Sequence, residues 1–529
     1  MTEAPRGPGA LPGDAPAERQ VVGALGSIGA ATLASRVLGF ARDMVVALAF
    51  GAGPVTDAFF VAFRIPNILR RLLAEGALAT AVIPVFTEYG VREPRPQLLR
   101  MLRAVLSAAL VALSATTLLG MLAAPWIVRV IAPGFATDPG QFALAALLTR
   151  VMFPYLILVG LAALAMGALN AQGRFFAAAL GPAVLNLGMI ACVLLLASRV
   201  EPAILSLAIG VLVGGLGQLL VQLPGLRACG LLVAPSGELR HPALGRVARL
   251  LLPAVFGLAA LQVMVFINTL LASLLPAGSI SFLYYADRVM EFPLGVFGIA
   301  LASASLPAMA RLAAAGDPRG VATTLNFALR LSVYVSLPAT VGLVILSRPI
   351  TRILFERGRF GPDDTAATSV ALVAYAVGLV GFAGARIAAQ AFYALSQPGI
   401  AVRIGIVSIA ANAVAALALM QPLGHAGLAL ASSIGTYVNL MLLVWTARRR
   451  LGPLGGRAML ASTLRTAAAS LPLVAWCALA MTTEPARSAP LWLSAAWLAA
   501  VMAGGAVLFI GASAVLGSPE RQTLLRMLR

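Results

Sequence analysis

The chain runs to 529 residues, 60% of them hydrophobic and only 11% charged, with a mean hydropathy of +0.95. A soluble chain is roughly 45–50% apolar and about 25% charged, and a single soluble core stops growing near about 250–300 residues, so this composition excludes an ordinary soluble protein and makes lipid the solvent for much of the chain. The formal charge is +19, and all 38 basic residues are arginine; they are dispersed between hydrophobic stretches, which favours a membrane over nucleic acid as the partner.

Residues 1–21 are polar and rich in Pro, Gly and Ala, and read as a disordered cytoplasmic tail without the apolar core of a cleaved signal peptide. A membrane-crossing helix needs about 20 mostly apolar residues. About fourteen candidate spans follow: 23–50, 57–88, 104–132, 142–169, 177–198, 203–224, 247–274, 280–310, 325–347, 366–395, 400–420, 424–446, 463–482 and 489–516. Turn formers punctuate them, among them Gly51-Ala52-Gly53-Pro54, Ala132-Pro133-Gly134, Pro276-Ala277-Gly278 and Gln397-Pro398-Gly399. An even count puts both termini on one side.

Basic residues accumulate on the cytoplasmic side of a membrane protein. With the N-terminus inside, the inner loops hold Arg92, Arg95, Arg100, Arg103, Arg174, Arg227, Arg240, Arg246, Arg249, Arg311, Arg319, Arg403, Arg448, Arg449, Arg450 and Arg457, and the tail adds Arg521, Arg526 and Arg529. The exception is 348–364, an outer segment with Arg348, Arg352, Arg357 and Arg359 beside Glu356, Asp363 and Asp364, expected to be a partly self-neutralised short helix. This gives a tail (1–21), an N-terminal lobe of six spans (22–226), a cytoplasmic linker (227–246), a C-terminal lobe of six spans (247–450), and two further spans with a cytoplasmic tail (451–529). Cys192, Cys229 and Cys477 show no metal or disulfide spacing, and two histidines, His241 and His425, are too few for a His-based metal site.

Charges inside spans carry the functional information, because an Arg or Asp near mid-span costs about 2.5–3.5 kcal/mol on insertion scales and faces a cavity or a partner. The first span carries Arg36, Arg42 and Asp43. The second carries Asp57, Arg64 and Arg71 at seven-residue steps, with Arg70 beside Arg71 and Glu75 one turn on. The eighth carries Asp287, Arg288 and Glu291, the last two within i,i+3 reach. One reading is that these groups pair among themselves and lock helices together; for the acidic members it is the favoured one, with each carboxylate orienting an arginine. The arginines outnumber the carboxylates, however, and surplus guanidinium suits an absent phosphate, which its planar fork binds bidentately. Gln262, Asn268, Arg386, Gln390 and Asn412 rank lower, as interhelical hydrogen bonders. A Phe60–Arg64 and Tyr284–Arg288 spacing, followed by Pro84 and Pro307, hints at repeated halves.

Three stretches are recognisable: Ser35-Arg-Val-Leu-Gly-Phe-Ala-Arg-Asp43, then Thr56-Asp-Ala-Phe-Phe-Val-Ala-Phe with Pro66-Asn-Ile-Leu-Arg-Arg-Leu-Leu-Ala-Glu-Gly-Ala77, and Tyr284-Tyr-Ala-Asp-Arg-Val-Met-Glu-Phe-Pro293. Together they resemble the motifs of the MurJ (MviN) lipid II flippases, and the similarity runs from about residue 22 to the C-terminus. The resemblance implies the multidrug/oligosaccharidyl-lipid/polysaccharide exporter fold: an all-α membrane protein with two six-helix lobes around a V-shaped cavity, plus two C-terminal helices. It implies transport, not catalysis, of undecaprenyl-diphosphate-linked disaccharide pentapeptide (lipid II) across the inner membrane by alternating access, with lipid II, membrane lipids and cell-wall synthesis proteins as partners. By motif position the essential cavity arginines are Arg36, Arg42, Arg70 and Arg288, and the acidic position of the second span is Asp57. Asp43 and Glu291 match acidic positions beside those arginines, and Arg64 stands where relatives carry a basic residue. Some relatives bind sodium near spans 7 and 11; its acidic ligands have no match here, so no cofactor is expected, and ion or membrane-potential coupling is left open.

Three classes of rival stand against this: a flippase or exporter for another cargo, a membrane enzyme and a scaffold. A flippase for another polyprenyl-diphosphate cargo, such as O-antigen, differs only in motifs. A drug or cation exporter calls for an acidic cavity, and a membrane glycosyltransferase for carboxylates in long outer loops, neither of which is present. A non-transporting scaffold has no need of surplus buried arginine.

Overall fold

The computed structural model describes residues 14–72 and 78–522. Their regular structure is helical, with no strand among them. The elements run α1 (Asp14–Phe50), α2 (Pro54–Leu72), α3 (Leu78–Arg92), α4 (Arg95–Leu122), α5 (Ala124–Ile131), α6 (Pro139–Met152), α7 (Tyr155–Ala171), α8 (Phe176–Leu196), α9 (Leu205–Leu220) and α10 (Leu223–Ala228). They continue with α11 (Pro242–Ser273), α12 (Ser279–Pro293), α13 (Ile299–Ala314), α14 (Pro318–Ile345), α15 (Ser347–Phe355), α16 (Pro362–Val377), α17 (Leu379–Ala394), α18 (Pro398–Leu451), α19 (Gly456–Ala480) and α20 (Leu491–Val515).

Among the described residues eight helical stretches are long and apolar enough to cross a membrane, or nine when the bent pair α16–α17 counts as one span. Two site-bearing elements fall outside that set for a physical reason: α2 spreads four charges over 19 residues, and α12 puts three charges into 15. The run α18 is two helices meeting at Gly424, whose φ of 55° and ψ of −135° suit a residue without Cβ. This break separates the predicted spans 400–420 and 424–446. The expected disordered tail needs correction, since α1 begins at Asp14. Ala15, Ala17, Glu18, Arg19 and Gln20 are all compatible with helix, and most are strong helix formers. Residues 1–13 of that tail lie outside the described residues, as do Arg526 and Arg529.

The chain divides into two compact units, one of residues up to Val46, Val61–Val128 and Phe142–Gln262, the other of Ala47–Phe60, Arg129–Gln141 and Val263 onward. In the first unit α8 and α9 approach through glycines: a Cβ on Gly188 would lie 2.6 Å from Gly214 Cα, and one on Gly214 2.6 Å from Leu185 O. Small residues let membrane helices come this close, where lipid supplies no hydrophobic drive. The segment after α10 is strapped along α4. Arg95 donates to Cys229 O at 3.1 Å, Ser107 Oγ accepts from Ser236 N at 2.9 Å, and Arg100 grips Glu238 through two bonds of 2.9 and 3.0 Å. Leu231, Leu232 and Val233 of this strap wall an apolar cavity of about 190 Å³ that Phe86, Leu102 and Leu164 also line.

In the second unit Met309, Val321, Leu325, Ile387, Phe392 and Leu443 form the core of α13, α14, α17 and α18. One face of α14 is polar at four-residue intervals, and each group holds the C-terminal hairpin. Asn326 donates to the carbonyls of Leu454 and Gly455 ahead of α19. Arg330 Nε reaches Glu520 beyond α20 at 2.7 Å, and Ser462 of α19 donates to the same carboxylate at 2.8 Å. Tyr334 meets Ser513 of α20 at 2.8 Å. At the other end Arg352 pairs with Glu484 at 3.1 Å, and Arg487 lies 3.8 Å from Glu356. The 348–364 segment is therefore a short helix, as expected, but not self-neutralised: the acid that meets Arg352 comes from the α19–α20 connection.

Two outcomes follow. Glu520 is only 2% exposed, and removing one partner of a buried pair costs on the order of 3–5 kcal/mol. Glu520→Ala is expected to lower the apparent melting temperature of the purified chain well below that of the paired Arg330→Met/Glu520→Met variant; equal melting of the two contradicts the clamp. On the strap, Arg100's hydrogen bonds hold the Glu238 carboxyl below the usual carboxylate range. A lowered folded-state value means the tie is complete above about pH 4.3 and is lost as pH falls through the lowered value. Amide exchange at Gly237, corrected for intrinsic rate, should stay slow down to that range and rise below it, and Arg100→Ala should raise it already at neutral pH.

Candidate functional site

In the first unit the charged face of α1 is built around Arg42. This residue is 9% exposed and its neighbour Asp43 2%. Arg42 Nε and Nη2 both donate to Asp43 Oδ1, at 3.0 and 2.6 Å. Its Nη1 donates to Asn186 Oδ1 of α8 at 3.0 Å, and Asn186 Nδ2 donates back to Ser35 O at 3.2 Å. Asp43 thus serves the adjacent arginine rather than Arg36 two turns away. Arg36 is exposed and has no hydrogen-bond or ion-pair partner among the described residues. In α2, Arg64 is half-buried, and Arg70 bonds Asn67 through Nε and Nη2 at 3.3 and 3.1 Å. The Arg71 side chain and Glu75 lie outside the described residues.

The start of α2 belongs to the second unit, and there Asp57 departs from its expected role. Instead of orienting an arginine, its carboxylate caps α12. Oδ2 accepts from Gly278 N at 2.6 Å, and Oδ1 accepts from Ser281 N at 2.8 Å and from Ser281 Oγ at 2.5 Å. The reason is the helix N-terminus, whose unpaired N–H groups and dipole favour an anion. Gly278 stands at the cap with φ 93°, where a Cβ would meet the Phe282 ring at 2.7 Å. Around it Phe60 stacks on Tyr284 with centroids 3.9 Å apart, and Tyr285 donates to Gly51 O at 3.3 Å.

Two turns along α12, Arg288 Nη1 donates to Glu291 at 2.8 Å, the predicted i,i+3 pair. Its Nη2 donates to Tyr284 Oη at 3.3 Å, and the guanidinium lies 5.0 Å from that ring. Asp287 beside it is half-buried. Glu291 also acts electrostatically on Arg386 of α17, which is exposed. Glu291 thus acts on two guanidinium groups of this unit.

Asn268 of α11 and Asn412 of α18 donate to Ser432 Oγ at 3.0 and 3.4 Å, the interhelical bonding expected of them. Their Oδ1 atoms find no partner among the described residues. Carbonyl oxygens of this kind suit a hard cation, but among the described residues no carboxylate joins them to balance its charge, so the donor set does not fit a sodium site. No cluster of metal-ligating residues occurs among the described residues.

Sequence reasoning missed Asn186 and Ser281. Asn186 had a signal, as the single amide in the otherwise apolar helix FAAALGPAVLNLGMIACVLLL. Ser281 had none, being one small residue among many.

Residues 46–494 match the family model described as "Lipid II flippase MurJ". The chain belongs to the MurJ family. It is 38% identical over 423 residues to a probable lipid II flippase MurJ of Vibrio cholerae, covering 79% of this chain and 81% of that one. It is 36% identical over 431 residues to the lipid II flippase MurJ of Burkholderia cenocepacia, covering 81% and 84%. A solved structure titled "Lipid II flippase MurJ, inward closed conformation" superposes with a TM-score of 0.76 over 94% of this chain and 99% of that one, at 23% identity. An inward-facing multidrug resistance transporter of the MATE family, in the MOP superfamily, superposes at 0.64 over 80% and 96%, at 16% identity. The fold is that of the exporter superfamily, and the chain is a multi-pass membrane protein and a transporter rather than an enzyme.

The cap generates a prediction. Losing a side-chain cap costs roughly 0.5–2 kcal/mol. Asp57→Ala should speed amide exchange at Gly278 and Ser281 by about tenfold, with Asp57→Asn intermediate because one oxygen still accepts. Unchanged protection in Asp57→Ala would show that the carboxylate does not hold the start of α12.

Proposed function

We propose that this chain moves lipid II, the undecaprenyl-diphosphate-linked disaccharide pentapeptide, from the cytoplasmic to the periplasmic leaflet of the bacterial inner membrane by alternating access. The cargo is the one named for the relatives in Vibrio cholerae and Burkholderia cenocepacia. In this reading residues 22–226 and 247–450 are the two six-span lobes, 227–246 the cytoplasmic linker, and 451–529 the added pair of spans with both termini cytoplasmic. Arg36, Arg42, Arg70 and Arg288 are the guanidinium groups assigned to the diphosphate. Asp43 and Glu291 orient Arg42 and Arg288, and Asp57 holds the start of the helix that carries Arg288. Arg64 and Asp287 support the charged faces on which they lie, as do Arg71 and Glu75 on α2.

The observation that supports the reading is Arg36, which is exposed and has no carboxylate partner among the described residues, while Arg288 and Arg386 both lie within the influence of Glu291. A diphosphate supplies the missing negative charge with bidentate geometry. A ligand shifts a conformational equilibrium only by its difference in affinity for the two states, so the outward state must hold the diphosphate more weakly. No feature of these side chains favours another polyprenyl-diphosphate cargo over lipid II.

The test is depletion and replacement in cells, with lipid II on the outer leaflet measured by an externally added enzyme that cleaves it. The full chain should restore outer-leaflet lipid II. Arg36→Ala and Arg288→Ala, at normal protein levels, should leave at most about a tenth of it, and either variant restoring it fully would refute the role of these arginines.

A further inference from the structure

Asn186 is the single amide side chain of α8, and it is 7% exposed. An amide buried in an apolar helix is costly unless both of its ends are bonded. Both ends are bonded here, and to α1: Oδ1 accepts from Arg42 Nη1 at 3.0 Å, and Nδ2 donates to Ser35 O at 3.2 Å. The orientation of the amide is not ambiguous, since a guanidinium has no acceptor and a carbonyl no donor. Room for the approach comes from Gly39, where a Cβ would lie 3.3 Å from Asn186 Nδ2. Positions 35, 39 and 42 share one face of α1, so Asn186 spans two turns of that helix and ends on the guanidinium.

Asp43 takes one edge of the Arg42 fork, through Nε and Nη2. Asn186 takes Nη1, which fixes the plane of the group from a second direction. The chemistry of the second partner matters. A carboxylate there would orient the guanidinium but cancel its charge a second time; a carboxamide orients it and leaves the charge in place. In the other unit Tyr284 has the same relation to Arg288, a neutral oxygen accepting from Nη2 while Glu291 takes Nη1.

We propose that Asn186 is a positioning residue for transport: through its hydrogen bond to Arg42 it sets the direction of that guanidinium toward the diphosphate of the cargo without neutralising it. The proposal rests on the reading that Arg42 contacts the diphosphate, and the experiment separates the two. Binding of lipid II to the purified full-length chain in nanodiscs is measured for the wild type and for Arg42→Ala, Asn186→Ala, Asn186→Asp and Arg42→Ala/Asn186→Ala. Elution profile and melting are recorded for each.

Loss of one hydrogen bond to a charged group corresponds to a weakening of about tenfold. Asn186→Ala should show that loss, and the double variant should bind no more weakly than Arg42→Ala alone. Asn186→Asp keeps the acceptor and nearly the shape, yet should bind lipid II more weakly than Asn186→Ala, because a second carboxylate cancels the charge. Its deficit should shrink as salt is raised, a response that a purely packing role does not produce. The proposal is overturned if Asn186→Asp binds as tightly as the wild type, or if the losses of Arg42→Ala and Asn186→Ala multiply in the double variant. If Arg42→Ala binds normally, the reading of Arg42 as a cargo ligand fails and the proposal goes with it. If Arg42→Ala is impaired and Asn186→Ala is not, the positioning role alone is wrong. Should Asn186→Ala fail to fold, Asn186→Asp and its salt dependence decide the matter.

Discussion

A guanidinium in the apolar part of a membrane protein has to be compensated, and how completely it is compensated decides what it can do. Arg42 has a carboxylate from its own helix and an amide oxygen from α8. Arg288 has a carboxylate three residues on and a phenol four residues back. In each case one of these two partners carries charge and the other only a dipole. That arrangement meets most of the desolvation cost while keeping the arginine oriented. Arg36, by contrast, stands exposed, where water shares the task.

The carboxylates near these arginines do not share one role. Asp43 and Glu291 serve as local counter-ions, whereas Asp57, as buried as Asp43, is directed to the amide groups at the start of α12. Helix dipole and side-chain charge are interchangeable currencies in a low-dielectric interior, so a carboxylate beside an arginine in sequence goes to whichever positive end it meets in space. The same logic ties Glu484 to Arg352 and Glu520 to Arg330. These long-range pairs fasten the C-terminal hairpin to α14 and α15 at both of its ends.

Much of this was legible in the chain before folding. Hydropathy and Arg placement mark the helices and their punctuation, because every backbone group in lipid must be satisfied within its own helix. The Arg288–Glu291 pair follows from helical spacing alone. The role of Asp57 was not legible, since the N–H groups it caps belong to residues 278 and 281, more than two hundred positions away. Nor was the partner of Arg42 from α8, which sits 144 positions along the chain. The start of α1 inside a Pro/Gly-rich stretch was misread because composition was weighed over the whole segment rather than over the helix-forming residues after Asp14. Local periodicity reports which face of a helix is polar; it does not report what that face meets.

The partial compensation bears on turnover as well as on binding. A cargo held through its diphosphate must also be released, and a site of wholly unpaired arginines would bind it too tightly in every state. A site of arginines each closed by two carboxylates would not bind it at all. One carboxylate with one neutral acceptor lies between these limits. On the proposed reading the diphosphate adds negative charge beside a guanidinium that already has a carboxylate partner, and on release that carboxylate is still in place. Among these partners Asn186 alone sits on a different helix from its arginine, so on the proposed reading a movement of α8 against α1 changes how much of the Arg42 guanidinium is available. A change of that kind is one source of the differential affinity between states that alternating access requires.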